Sequence, residues 1–422
     1  MGRSLVISDY GNGSTSTANT IQYWNVVGTT DPSTSENTHR IPFRTPGTFS
    51  KLTINTYLGN TTSGGNTVCN LRKNGADANQ TVAIPAATTG IFTDTTNTDT
   101  IAAGDQLCLK TDPPSSGTFG ITNITMLFEP TDEDVTDSRL FMGNPASNNS
   151  SVVYYSVISG MIHNSVTVTT NQRVSPKVAG DFKYWAGYSS AGGRAWAIRL
   201  MKGGTDDVVN RLLQNANITG LLEDTSDTIT ITNTDDVNHL HVYGGSGTSR
   251  TINWFGLSFI TSTKHSLYVC GNPIGNVRNF GHLDYINLSG SIISGTTENL
   301  FQTKCLSDFE FSNMQARISA NTINSGNTPL VFRKNGADTS LGVSIPAGST
   351  GLFTDITDTV TVDEDDLVDY EWDTSGTSGQ MTLTFLSIIA EDKFVDTGEP
   401  GPPVECTVTS KTVTNKFITI AA

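Results

Sequence analysis

The hexapeptide Arg72-Lys73-Asn74-Gly75-Ala76-Asp77 occurs twice, returning as Arg333-Lys334-Asn335-Gly336-Ala337-Asp338. The offset, 333 − 72 = 261 residues, holds without a gap from Gly65 to Asp112 against Gly326 to Asp373, and 23 of those 48 aligned positions are identical. A weaker copy, Met201-Lys202-Gly203-Gly204-Thr205-Asp206, stands at an offset of 201 − 72 = 129, close to half of 261. One unit of about 130 residues is therefore used three times. At 422 residues the chain has room for three such units, each long enough to close a core of its own.

Within the repeat, Asn74-Gly75 and Asn335-Gly336 are hairpin signals, because a type I′ turn needs positive φ at both central residues. Gly203-Gly204 meets the same need in the middle copy. Strands are expected from Val68 to Lys73 and from Thr81 to Ile84, on either side of the first turn. The run Phe49 to Asn55 alternates so as to put one row on a core and the other in solvent. Gly90-Ile91-Phe92-Thr93-Asp94 matches Gly220 to Asp224 and Gly351 to Asp355, and each copy ends in an apolar strand: Gly120 to Phe128, Thr251 to Ile260 and Met381 to Ile389. Roughly eight strands per unit is the count of a two-sheet sandwich or jelly roll.

The expected class is all-β: three tandem jelly-roll-like β-sandwich domains, 1–131, 136–262 and 265–392, the middle one divergent. A Pro-rich linker and C-terminal strand occupy 396–422. That arm alternates through Val408, Val413, Phe417, Ile418 and Ile420, and either closes its own sheet or adds to another subunit's edge. Short linkers around Glu129 to Asp134 and Thr261 to Lys264 predict a stiff rod or a compact cluster.

A charged fraction of only 15%, with 40 glycines, favours strands and turns. The net charge of −15 would repel a phosphate backbone, so no nucleic-acid partner is expected. Cys69, Cys108, Cys270, Cys305 and Cys406 form an odd set that the repeat does not preserve, which reads as free thiols in a reducing compartment. Neither a signal peptide at the start nor an apolar run of membrane-spanning length is present, so synthesis in the cytoplasm without membrane insertion is expected.

Motifs for nucleotide, hydrolase or zinc chemistry do not occur, and neither catalytic residues nor a cofactor or metal is assigned. His239-Leu240-His241 could chelate a metal from one strand face but reads as a surface strand pair. Asp363-Glu364-Asp365-Asp366 could hold calcium. Only Asp366 is repeated, as Asp105 and Asp235, which points to a turn whose Asp binds backbone amides. Arg72-Lys73 and Arg333-Lys334 read as hairpin-edge cations or a docking patch.

The run Leu71 to Asp77, with Ile84-Pro85, Phe92 to Asn97 and Ala102 to Asp105, resembles a repeat of structural proteins of tailed bacteriophages. The resemblance covers the later halves of the first and third units and the middle unit weakly. It implies jelly-roll domains on a virion surface, in a decoration protein, spike or fibre without enzymatic activity. Its partners would be itself, as a homotrimer by analogy, and capsid or tail proteins. The alternatives are a fibre binding a host receptor or glycan in a groove lined by Trp185, Trp196 or Trp254, and a depolymerase with paired carboxylates facing one cleft.

Overall fold

The computed structural model describes residues 2–16, 20–28, 32–59, 65–114, 118–148, 154–161, 170–193, 195–214, 218–243, 250–290, 294–374 and 378–393. Most of these residues are in strands and none is in an α-helix, so the molecule is all-β. In the first third, one sheet runs β1 (Ser4–Ser16), β10 (Phe119–Pro130), β4 (Gly47–Leu58), β7 (Gly90–Thr93), with β8 (Thr98–Ile101) also on β4. Its companion runs β2 (Gln22–Trp24), β9 (Gln106–Asp112), β5 (Thr67–Lys73), β6 (Ala76–Ile84), with β3 (Ile41–Pro42) on β9.

The middle third repeats this plan. One sheet is β13 (Gly160–Met161), β11 (Thr136–Asn148), β19 (Arg250–Thr261), β14 (Gly180–Ala191), β17 (Gly220–Ile231); the other is β12 (Tyr154–Ser156), β18 (Val237–Tyr243), β15 (Trp196–Lys202), β16 (Thr205–Gln214). In the last third, β20 (His265–Asn279), β29 (Gln380–Asp392), β24 (Phe309–Asn321) and β27 (Gly351–Val362) form one sheet. The other is β22 (Ser294–Gly295), β21 (His282–Ile286), β28 (Leu367–Thr374), β25 (Asn327–Lys334), β26 (Ala337–Pro346), with β23 (Thr303–Lys304) on β28. In each third the first long strand pairs with the last, standing at the edge of its sheet in the two outer thirds, and the Asn-Gly or Gly-Gly hairpin ends the other sheet. Among the described residues no helix is long and apolar enough to cross a membrane.

The two sheets of each third enclose one core. In the first, Trp24, Leu71 and Leu109 from one sheet meet Ile54, Ile124 and Phe128 from the other. The sheets that hold the first and last strands are buried on their second face as well. Leu5, Ile7 and Leu127 join the core of the last third; Phe141, Ala186 and Trp254 of the middle third join that of the first; Leu267, Val269, Phe385 and Ile389 of the last join that of the middle. Double burial explains why β10 is apolar or small and polar from Phe119 to Phe128 rather than alternating.

This handing-on of apolar faces closes a ring with threefold repetition inside one chain. The first strands of the three thirds meet near its centre. Ser4 Oγ donates to Asp137 O at 2.9 Å, Leu267 N donates to Ser138 Oγ at 2.9 Å, and Ser266 Oγ donates to Arg3 O at 3.5 Å. The three seams thus use one serine position in cyclic order. Of the two linker readings, the compact cluster is the observed one.

Two expectations change accordingly. The row of β4 expected in solvent is buried at Thr53 and Asn55, and Asn55 Nδ2 donates to Asn299 O at 3.2 Å in the last third. Trp185, Trp196 and Trp254 are buried and line no surface groove; Trp254 Nε1 donates to Thr38 O at 2.9 Å across a seam. The arm residues Val408, Val413, Phe417, Ile418 and Ile420 lie outside the described residues, as does Cys406. The other four cysteines are free and buried.

Candidate functional sites

The repeat motif is a backbone device. Asn74, Gly75, Gly203, Gly204, Asn335 and Gly336 all have φ between 53° and 87°, as type I′ turns require. Asn74 Nδ2 donates to Asp105 Oδ1 at 2.6 Å, and Gln106 N donates back to Asn74 Oδ1 at 2.9 Å. Asn335 and Asp366 repeat this bond at 2.6 Å. The second oxygens of Asp105, Asp235 and Asp366 accept from the amides of Ala102, Thr232 and Asp363 at 2.7–2.8 Å. The recurring Asp is thus occupied by the turn. Asp94 works similarly: burial, which would raise its pKa, is outweighed by hydrogen bonds from Asn97, Thr81 and Thr96, which hold it at about 2.

The cations beside these turns are spent internally. Arg72 contacts Glu36 at 3.1 Å and Asp77 at 2.6 Å, while Lys73 Nζ donates to Thr100 O at 3.0 Å. Arg333 engages Glu298 at 2.9 Å, together with Asp338 and Glu371. On the neighbouring strand Cys108, Asn238 and Asp369 oppose Arg72, Met201 and Arg333, respectively. Asp369 is fully buried and neither of its oxygens has a hydrogen-bond partner among the described residues. Burial, reinforced by the Glu298 charge and opposed by Arg333, pushes its pKa up to about 8.

His239 and His241 correct an expectation. They are buried in the core of the middle third, since β18 alternates Val237, His239 and His241 inward. Their counterparts by register are Leu109 with Thr111, and Tyr370 with Trp372. Ser156 Oγ lies 2.7 Å from His241 Nε2, whereas neither ring nitrogen of His239 has a partner among the described residues. Burial drives His241 down to about 3; burial and then the His241 charge drive His239 well below the ordinary histidine range. Among the described residues no group of three or more His, Cys, Asp or Glu is placed to hold a metal ion.

One seam departs from the repeat. The position that is Leu5 and Leu267 in the outer thirds is Arg139 in the middle third. Its side chain is buried, paired with the equally buried Asp137 at 3.0 Å, and lies 4.3 Å from the Phe43 ring. No guanidinium nitrogen of Arg139 makes a hydrogen bond among the described residues. Arg44 spans the same seam, donating through Nε at 3.0 Å and Nη2 at 2.5 Å to the two oxygens of Glu223. A cleft of about 270 Å³ opens beside it, walled by Arg44, Thr45, Pro46 and Asp132 on one side and Lys183 and Tyr184 on the other. The sequence signal for the exchange is the serine that precedes this position in every copy, Ser4, Ser138 and Ser266, which sets Arg139 against Leu5 and Leu267.

Compared with models of protein families and with curated proteins, the chain matches none.

Proposed function

We propose that this chain is a non-enzymatic structural protein of a phage virion surface, built of jelly-roll units and acting by self-association and by docking to shell or tail proteins. The observation that supports this reading most directly is the cyclic burial of one sheet face per third. It spends the repeat on constructing a rigid block, and the repeated Asn, Gly and Asp side chains serve turns rather than chemistry. The acidic composition, with a net charge of −15, suits an outward-facing surface more than one facing a packaged genome.

The test is localisation. Antibodies against the chain should label the exterior of purified particles in electron micrographs; label confined to lysate and absent from particles would overturn the reading. Deleting residues 396–422 should lower particle occupancy if the arm docks, and unchanged occupancy would remove the arm from the proposal. Self-association is read by sedimentation velocity. Three copies of 45.0 kDa would support the trimer drawn by analogy, whereas a single 45.0 kDa species would leave the ring within one chain as the complete block.

A further inference from the structure

We propose that the cleft between the first and middle thirds is a carbohydrate site that takes one or two sugar residues of an uncharged glycan. The first ground is asymmetry. Two seams of the ring place Leu5 and Leu267 where the third buries Arg139, although an ion pair taken out of water is not in itself stabilising relative to a well-packed leucine. The departure from the repeat therefore calls for a local reason, and Arg139 lies behind the cleft wall, in the same cross-strand row as Lys183, which lines the cleft.

The second ground is a set of unspent polar groups. Thr45, on the cleft wall, is 8% exposed and its Oγ1 has no hydrogen-bond partner among the described residues. Arg139, Ser258 and Lys183 stand in one cross-strand row, on the face of the sheet that meets the first third. The Ser258 hydroxyl is buried and unpartnered as well, and Lys183 reaches the cleft. Of these groups Thr45 and Lys183 line the cleft; a buried hydroxyl without a partner is costly, and a hydroxyl-bearing ligand in the cleft supplies one to Thr45.

The third ground is shape and charge. The cleft continues past Val135, Lys183 and Ile260, which it shares with a second hollow of about 390 Å³ bearing Asp181 and Thr230. Each hollow is near the lower end of small-ligand pockets, roughly 300 Å³, which suits a sugar ring. Arg44 is matched by Glu223, Lys183 by Asp181 at 3.3 Å, and Arg139 by Asp137. With Asp132 on the rim the site has no excess of positive charge, so it selects neither a phosphate nor a sulfate. Planar charged groups in matched pairs hydrogen-bond adjacent hydroxyls in two directions, while Tyr184 and Pro46 offer apolar faces to sugar C–H groups.

Tyr184 allows a clean test. Its φ is +59°, and the equivalent bulge positions are Lys51 at +56° and Asn313 at +54°. Tyr184→Asn therefore installs a residue that the last third already tolerates in this backbone conformation. The intact chain is titrated with maltose, cellobiose, lactose and N,N′-diacetylchitobiose, and separately with inorganic phosphate, by saturation-transfer NMR and calorimetry. At least one disaccharide is expected to bind, and Tyr184→Asn is expected to weaken it about tenfold or more while leaving the melting temperature close to that of the parent. Absence of saccharide binding, binding of phosphate alone, or affinity unchanged in Tyr184→Asn overturns the proposal. Failure here leaves the surface-building role untouched, and failure to find the chain on particles leaves the cleft chemistry standing.

Discussion

Buried titratable side chains give this protein opposite sensitivities at the two ends of the pH scale. Asp369 has its pKa raised to about 8 from 3.8, so the folded state holds the proton more tightly than the unfolded chain between those values. Its contribution is fully present below pH 4 and is lost as pH rises through 8, at up to about 1.4 kcal/mol per pH unit. Asp369→Asn, which copies Asn238 of the middle third, should raise stability at pH 7 to 8 and flatten that slope. Denaturant unfolding across pH 4 to 9 checks it; parallel slopes for variant and parent would refute it. The imidazoles act in the other sense. His239 and His241 titrate below their unfolded value of 6.5, so their contribution is present above pH 6.5 and fades as pH falls, by up to about 1.4 kcal/mol per unit for each ring. His239→Leu with His241→Thr, the residues of the first third, should remove the acid limb in the same measurement. The His-Leu-His spacing was legible from sequence. Its burial was not, because alternation says that two side chains share a face without saying which face is inside.

At the level of strands and turns, local chemistry wrote most of the outcome. Asn-Gly specifies its hairpin through backbone sterics alone, so the turns at 74–75 and 335–336 fall where the sequence places them. What escaped was the company each turn keeps. Gly75 has φ +87°, and a methyl group there would stand 2.4 Å from the Arg40 guanidinium that also holds Glu36; Gly336 at φ +77° has nothing nearer than Glu298 at 3.7 Å. Both alanine variants carry the backbone penalty of about 1 kcal/mol. Gly75→Ala should lower the melting temperature more than Gly336→Ala, because only it displaces a half-buried ion pair. Equal shifts in calorimetric scans would show that the Arg40 contact is without weight.

For the whole molecule, the closed ring predicts that the thirds depend on one another. Gly160 adopts φ +118°, and a Cβ there would meet the Gly271 carbonyl oxygen at 2.1 Å across the seam between the middle and last thirds. Gly160→Ala, and independently Leu267→Asp within the middle core, should open that seam. The radius of gyration from small-angle scattering should rise, and the single unfolding transition expected of the parent should split in two. A variant that keeps the parental scattering curve would mean that the seams contribute little to the arrangement. The fragment 265–393 made alone should aggregate, because Leu267, Val269, Phe385 and Ile389 would lose the apolar core that covers them.

A strand's period, a turn's glycine and a motif's return after 261 residues are properties of neighbours along the chain, so strand content, hairpin positions and the threefold use of one unit could be read from the residues in order. The second face of a sheet has no such local code. Whether Asn55 meets water or Asn299, whether Trp254 lines a groove or reaches Thr38, and whether Arg139 stands exposed or under Phe43 depend on surfaces hundreds of residues away coming together. Those contacts were settled by the requirement that three apolar faces, one from each third, all be covered at once.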